Sequence, residues 1–322
     1  MRPDARERLA ALDAAAWGTG LSPANARDAW ARALAALPDG PRGPLAGRPP
    51  GSVLLIGAAN VFTALLPWMW QLRARRVHTV VKPATSQLVG TMAMAEAIGG
   101  VDVRVWQGGT LEAEAEALRV ADAVLAFGGA EAIAAIGARA PPAAIYLGFG
   151  PRFGVAVVDT LDDPTADALA LDHRLYDGRG CMSPAAVYYR DGDPARLAAA
   201  MARAAAAYPA GPPTADEAAE LRARTLLARA VGRVHAPDTI ELPPHFFSPV
   251  ALHRAVALHR WSTAADLAPA LARPELGTLA VDPRLSDLDG DAPRRCVPGA
   301  MQTPPADGTH EGVDVLRRLW AA

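Results

Sequence analysis

From residue 53 onward the chain alternates short, mainly apolar runs with longer segments in which apolar positions recur every three to four residues. The apolar runs fall at 53–56, 77–81, 101–106, 123–127, 144–147 and 155–158, and the helical period occupies 62–75, 86–98, 111–120 and 130–138. Short β runs separated by helices of about 10 to 15 residues are the signature of βαβ units, with the helices as crossovers. The pattern therefore predicts a parallel sheet covered on both sides. Helices are expected upstream at 6–15 and 23–37, followed by a Pro/Gly-rich linker over 38–51. After Asp159 the rhythm changes. A helix is expected at 163–175, a strand at 187–189, an alanine-rich helix at 194–207, and a break at Gly211-Pro212-Pro213 before a helix at 215–231. Short apolar runs with proline turns fill 239–300, and 313–320 reads as a closing amphipathic helix. The expected organisation is α/β: a parallel Rossmann-type domain over 1–160, a smaller α/β domain over 161–295 carrying the chemistry, and a tail, 296–322, returning to the first.

Composition narrows the function classes. At 322 residues and 51% apolar content the chain can bury a sizeable core, and a length of roughly 150 residues per domain gives two. A net charge of −2 offers no basic excess for a phosphate backbone, so a nucleic-acid partner is not expected. The stretch 52–72 has no charged residue and is long enough to span a bilayer, but Gly57, Asn60 and Pro67 divide it, so two buried elements are expected instead. The first twelve residues do not read as a secretory signal, and two cysteines without CxxC spacing imply no disulfide framework; a cytoplasmic setting is expected.

Two residue types are scarce. Lys82 is the only lysine among 32 cationic residues, and Asn25 and Asn60 are the only asparagines. Lys82 closes an apolar run, which places a compact point charge at the carboxyl edge of the predicted sheet, suited to a ribose hydroxyl or phosphate oxygen. Phe127-Gly128-Gly129 follows a predicted strand and opens a helix, where such a sheet presents its ligand crevice. The GxGxxG fingerprint is absent: the first turn reads Gly57-Ala58-Ala59-Asn60, and Gly154 comes one position too late after Gly148-Phe149-Gly150. Cys181 lies in Asp177-Gly178-Arg179-Gly180-Cys181-Met182-Ser183-Pro184, a turn in which a thiol can be exposed, with Arg179 as a nearby source of positive potential. Cys296 reads as a packed residue. His235, His245, His253 and His259 lack metal-binding spacing, so no metal is expected.

Six segments in order resemble the aldehyde dehydrogenase superfamily and, within it, LuxC-type fatty acyl-CoA reductases. They are Gly57-Ala58-Ala59-Asn60-Val61-Phe62, Val80-Val81-Lys82-Pro83, Phe127-Gly128-Gly129, Gly148-Phe149-Gly150-Pro151-Arg152, the segment around Cys181, and Pro298-Gly299-Ala300-Met301-Gln302 with His310-Glu311-Gly312. The resemblance implies an aldehyde-dehydrogenase-like fold and a soluble enzyme that reduces an acyl-CoA or acyl-carrier thioester to an aldehyde with NADPH or NADH. It makes Cys181 the nucleophile and assigns the oxyanion to the Asn60 side chain and the Cys181 amide. It makes Lys82 a ligand of the adenosine ribose or its phosphate, and Gly128 and Gly129 part of the cofactor cleft. Association into a homo-oligomer is a further expectation from it.

Aldehyde-oxidising members of the superfamily carry a glutamate that activates water, and the matching position here is Gly148, 33 residues before Cys181. Without that base an acyl-enzyme resists water, which favours reduction. Related reductases have more than the roughly 50 residues found here before the first strand, so part of the acyl site is expected to be built differently. Two other readings stay open: acyl transfer or hydrolysis through Cys181 without redox chemistry, with His173 the nearest histidine in sequence, and a catalytically silent subunit that keeps the fold.

Overall fold

A computed structural model describes residues 4–41, 43, 45–107, 111–250, 252–288, 290–304 and 308–320. Contacts divide the chain into two compact units: Met1–Thr19, Ala26–Pro151 and Pro305–Ala322 form the first, Gly20–Asn25 and Arg152–Pro304 the second.

The first unit begins with α1 (Asp4–Ala10) and most of α2 (Pro23–Ala35). Its sheet is built from β1 (Ser52–Ile56), α3 (Leu66–Ala74), β2 (His78–Lys82), α4 (Leu88–Ile98), β3 (Val101–Val103), α5 (Leu111–Arg119), β4 (Ala123–Phe127), α6 (Ala130–Arg139) and β5 (Ile145–Phe149). All pairings are parallel, in the order β3-β2-β1-β4-β5. β1 is buried in all but its first residue and β4 is buried throughout, which is why both read as unbroken apolar runs. The uncharged stretch 52–72 is thus a central strand followed by a helix with Pro67 in its first turn, where a missing N–H costs nothing. Among the described residues no helix is long and apolar enough to cross a membrane. Strand β3 is shorter than its apolar run: it stops at Val103, and Trp106 turns to pack with Leu54, Leu118 and Val124.

The second unit contains β6 (Phe153–Leu161), α7 (Asp163–Arg174), β7 (Pro184–Gly192), α8 (Pro194–Ala207), α9 (Ala215–Val231), β8 (Arg233–Ala236), β9 (Thr239–Glu241), β10 (Val256–Arg260), α10 (Ala264–Leu271), β11 (Leu276–Val281) and β12 (Arg294–Cys296). Its sheet is the wider of the two, with seven strands in the order β12-β11-β6-β7-β10-β9-β8, and only the β8–β9 pairing is antiparallel. Alternation along β6 and β7 divides the core. Ala156, Val158, Val187 and Tyr189 pack with Leu169 and Met201 of α7 and α8, while Val155, Val157, Ala186 and Tyr188 pack with Leu267 and Ala270 of α10. β6, which includes Val155–Val158 of the sixth apolar run, pairs with β7 and β11 and so belongs to this sheet. The last elements, the hairpin β13 (Thr309–His310) and β14 (Val313–Asp314) and helix α11 (Val315–Leu319), group with the first unit.

Candidate functional site

In the first unit, strand order reverses between β1 and β4: β1 leads to β2 on one side, and the connection through α5 returns to β4 on the other. Loops leaving the carboxyl ends of strands at such a reversal diverge and leave a crevice. Asn60 lies in the loop after β1, Lys82 is the last residue of β2, and Gly128 and Gly129 follow β4, so tertiary structure brings all four to one edge of one sheet. The Asn60 loop is fixed at two backbone points: Gly57 N–H donates to the Lys82 carbonyl (2.9 Å), and Gln87 Nε2 donates to the Ala59 carbonyl (2.6 Å). Lys82 Nζ lies 6.0 Å from the Trp106 ring centre. Gly129 precedes α6 with an ordinary φ of −67°, and nothing lies within 4 Å of where its Cβ would be. Neither backbone conformation nor internal packing demands a glycine there; its effect is to keep the space before α6 open. Beside it, Phe127 and Phe149 stack (5.4 Å), and His310 of β13 meets both edge-on at 5.2 and 4.6 Å, with Trp68 of α3 completing the cluster.

Gly148 sits in β5 with its neighbours already filling the space a side chain would take. A Cβ there would come within 2.6 Å of Ile133 Cγ2 and of Tyr146 Oη, and Tyr146 donates to the Ile133 carbonyl. A glutamate could not be introduced at this position without displacing them.

In the second unit, Cys181 lies three residues before β7, the middle strand of the sheet, in a partly exposed turn. The turn is braced on both sides. After it, Gln302 Nε2 donates to Ser183 Oγ (2.8 Å) and to the Asp172 carbonyl (2.8 Å), while the buried Asp172 carboxylate accepts from Gly299 N–H (2.6 Å) and Met301 N–H (3.0 Å). Gly154 of β6 runs directly beneath, since a Cβ there would lie 2.9 Å from the Met182 and Ser183 carbonyls. Before it, Tyr176 (φ 59°), Asp177 (φ 57°) and Gly178 (φ 75°) are all left-handed, which costs the two non-glycine residues about 1–2 kcal/mol each. Asp177 is fully buried and accepts from Asn25 Nδ2 and Gly211 N–H (both 3.1 Å), with Arg254 Nε 2.5 Å away.

A family model described as acyl-CoA reductase (LuxC) matches residues 48–236, more than half of the sequence. The chain belongs to the LuxC acyl-CoA reductase family. Long-chain acyl-protein thioester reductase 2 of Photobacterium leiognathi is 38% identical over 71 residues, a match that spans 21% of this chain and 15% of that relative. An oxidoreductase from Marinobacter aquaeolei superposes with a TM-score of 0.74 at 13% identity, covering 98% of this chain and 82% of its own. A NAD-dependent benzaldehyde dehydrogenase from Corynebacterium glutamicum gives 0.62 at 16%, covering 94% and 84%. This chain also covers 42% of the length of proline utilization A from Bradyrhizobium japonicum, with a TM-score of 0.67 at 15% identity. At these identities the likeness is one of fold: the LuxC-family chain has the aldehyde-dehydrogenase-like α/β architecture.

Arg179, taken from sequence as a source of positive potential for Cys181, has its charge occupied. Its Nε and Nη2 donate to the two oxygens of Glu217 (2.7 and 2.9 Å), and Nη1 and Nη2 reach the carbonyls of Gly20 and Pro212. Arg179 in turn pulls the Glu217 carboxyl down to about 2. A guanidinium paired this way contributes little net field to a neighbouring thiol. His173 is fully buried beneath Gly178, and burial pushes its imidazole down to about 3, which makes it a weak base with no solvent exposure. Burial also pushes the Cys296 thiol up to about 11. Iodoacetamide at pH 7.5 is therefore expected to label Cys181 and spare Cys296, as peptide mass mapping would read; equal labelling would contradict this packing.

Sequence reasoning singled out Asn25 only for its rarity, and gave Asp172, Asp177, Ser183, Arg254 and Gln302 no individual role. Each acts through partners remote in sequence, so no local pattern marked them. Among the described residues no group of three or more His, Cys, Asp or Glu side chains could hold a metal ion.

Proposed function

We propose that this LuxC-family chain reduces an acyl thioester, as acyl-CoA or acyl-carrier, to an aldehyde through a covalent acyl-Cys181 intermediate, with NADPH or NADH as reductant. The observation that carries the reading is the braced turn at the head of β7. A partly exposed thiol is held there by buried hydrogen bonds on both sides, as a nucleophile requires and a merely packed cysteine does not.

Cys181 as thiolate adds to the thioester carbonyl. The tetrahedral adduct collapses with loss of the carrier thiolate, which takes up a proton to leave as the thiol. Asn60 Nδ2 and the Cys181 amide are the proposed donors to the oxygen as negative charge builds on it. A reduced nicotinamide, held by residues of the first unit such as Lys82, Gly128 and Gly129, would supply hydride for the acyl carbon. Addition of hydride and a proton leaves a thiohemiacetal on Cys181, which releases the aldehyde and restores the thiol. The crowded Gly148 position supports reduction over hydrolysis, because no side chain there can activate water.

The first unit fits a dinucleotide. The open space before α6 at Gly129 and the sheet reversal between β1 and β4 suit a pyrophosphate, and Lys82 at the end of β2 suits the adenosine ribose or its 2′-phosphate. No acidic residue follows β2 immediately to repel a 2′-phosphate, which favours NADPH. Lys82→Met is expected to raise KM for NADPH roughly ten- to a hundredfold, the loss of one charge-assisted hydrogen bond, with a smaller rise for NADH. Initial rates with both cofactors read this, and an unchanged KM for both would remove Lys82 from the site.

The test of the function itself is intact-mass analysis after mixing with acyl-CoA in the absence of cofactor, followed by absorbance loss of reduced nicotinamide across an acyl-chain series. An acyl adduct with no cofactor oxidation at any chain length would favour acyl transfer instead. Binding of cofactor with neither adduct nor turnover is the outcome for a silent subunit.

A further inference from the structure

Resting on the reading of Cys181 as the nucleophile, we propose that Asp177 and Asn25 are positioning residues, which hold the left-handed turn Tyr176-Asp177-Gly178 and thereby fix where Cys181 stands. Three successive left-handed residues are not a conformation that this sequence adopts by local preference. Asp tolerates it, Gly favours it, and the bulky Tyr176 opposes it. Something must over-determine the turn for it to persist.

Asn25 does so with every polar atom of its side chain. Oδ1 accepts from Tyr176 N–H (3.3 Å), while Nδ2 donates to the Arg174 carbonyl (2.9 Å) and to Asp177 Oδ1 (3.1 Å). It is fully buried, and its partners lie about 150 residues away in sequence, so the bonds tie the turn to a distant segment of the same unit. Asp177 is held at both ends. Its carbonyl accepts from Arg254 N–H (3.2 Å), and its carboxylate accepts from Gly211 N–H and Asn25 and lies against Arg254. Gly211 can deliver that N–H only because it lacks a side chain, since a Cβ would fall 2.0 Å from the Gly20 carbonyl.

The charges around the turn assign Asp177 a definite partner. Arg174 pairs with Asp238, and Arg179 pairs most closely with Glu217 while its Nη1 also lies 3.7 Å from Asp177, so the closest ion pair of Asp177 is with the buried Arg254. His173 and His253 complete the surroundings, with His253 Nε2 3.9 Å from the carboxylate. A buried carboxylate, a buried amide and two left-handed non-glycine residues thus converge four residues before Cys181. Rigidity of this kind matters where a reacting atom must stand within a fraction of an ångström of its attack geometry.

Asn25→Ala, Asp177→Ala and Asp177→Asn in the full-length chain test the assignment by two measurements. The first is amide hydrogen exchange of the peptide covering 176–183, which needs no substrate. The second is steady-state reduction of acyl-CoA, read separately as kcat and KM. Both alanine variants are expected to exchange at 176–183 roughly tenfold faster or more, with β6 and β7 still protected, and to lose roughly tenfold or more in kcat with KM within about twofold. Asp177→Asn keeps an acceptor oxygen and the left-handed preference, so it is expected to fall between wild type and Asp177→Ala in both. Unchanged exchange at 176–183 would overturn the clamp, and faster exchange with wild-type kcat would reduce it to a purely structural role. If an alanine variant does not fold, Asp177→Asn carries the same two readouts. If wild-type protein forms no acyl adduct at Cys181, the reading of the nucleophile fails, and the exchange measurement alone decides whether the pair holds the turn.

Discussion

Cys181→Ala is expected to remove the acyl adduct completely and to lower cofactor-dependent aldehyde formation by about 10⁴-fold or more, the scale on which loss of a covalent nucleophile acts. Wild-type chain mixed with acyl-CoA and no cofactor gains one acyl mass on the peptide containing Cys181; the alanine variant gains none. The result is decisive because the second thiol is poorly placed to substitute. Cys296 packs against the core of the second unit, and burial holds it protonated far above neutral pH. An adduct that persists in Cys181→Ala would sink the assignment. The substitution removes a sulfur from a partly exposed turn whose brace runs through Ser183, Gln302, Asp177 and Asn25, so the fold is expected to survive and the loss to be chemical.

Asn60→Ala is expected to lower kcat by about 10²–10³-fold while leaving KM for the thioester nearly unchanged, since an oxyanion donor acts on charge that develops only as the carbonyl is attacked. Asn60→Asp is expected to be worse still, because a carboxylate repels that charge. Two contacts that hold the loop, the Gly57 N–H on the Lys82 carbonyl and Gln87 Nε2 on the Ala59 carbonyl, do not run through the Asn60 side chain. Single-turnover acylation separates the roles: a slow acylation step with a normal adduct yield at long times supports Asn60 as donor, and wild-type acylation by Asn60→Ala would exclude it.

The residues that sequence made conspicuous fall into two groups. Lys82, Asn60 and the Gly128-Gly129 pair were visible as punctuation at the ends of apolar runs, because a parallel sheet places every strand-to-helix turn at one edge. Their convergence follows from the βαβ alternation and needed only the strand order to become specific. Arg179 illustrates the opposite case. Two residues from Cys181 in sequence, it invited an electrostatic role, yet Glu217 arrives from the capped start of α9 and takes its charge. Proximity along the chain is a poor guide to field when the partner comes from elsewhere.

By itself the sequence determined the βαβ alternation, the absence of a GxGxxG turn, a glycine where an oxidising relative carries its base, and a cysteine in a turn ahead of a strand. These are local properties, set by side-chain period and by which residues tolerate a turn. Only the tertiary structure decided the strand orders, the sheet to which β6 belongs, the crowding that bars a side chain at Gly148, and the brace on Cys181 from Asn25, Asp177 and Gln302. The physical reason is that burial and hydrogen bonding are satisfied among groups that meet only after folding. The segment Asp177-Gly178-Arg179-Gly180-Cys181 can be read from its residues as a turn able to expose a thiol, but the burial of Asp177, Gly178 and Gly180, and the partner about 150 residues away that makes the turn rigid, belong to the tertiary structure.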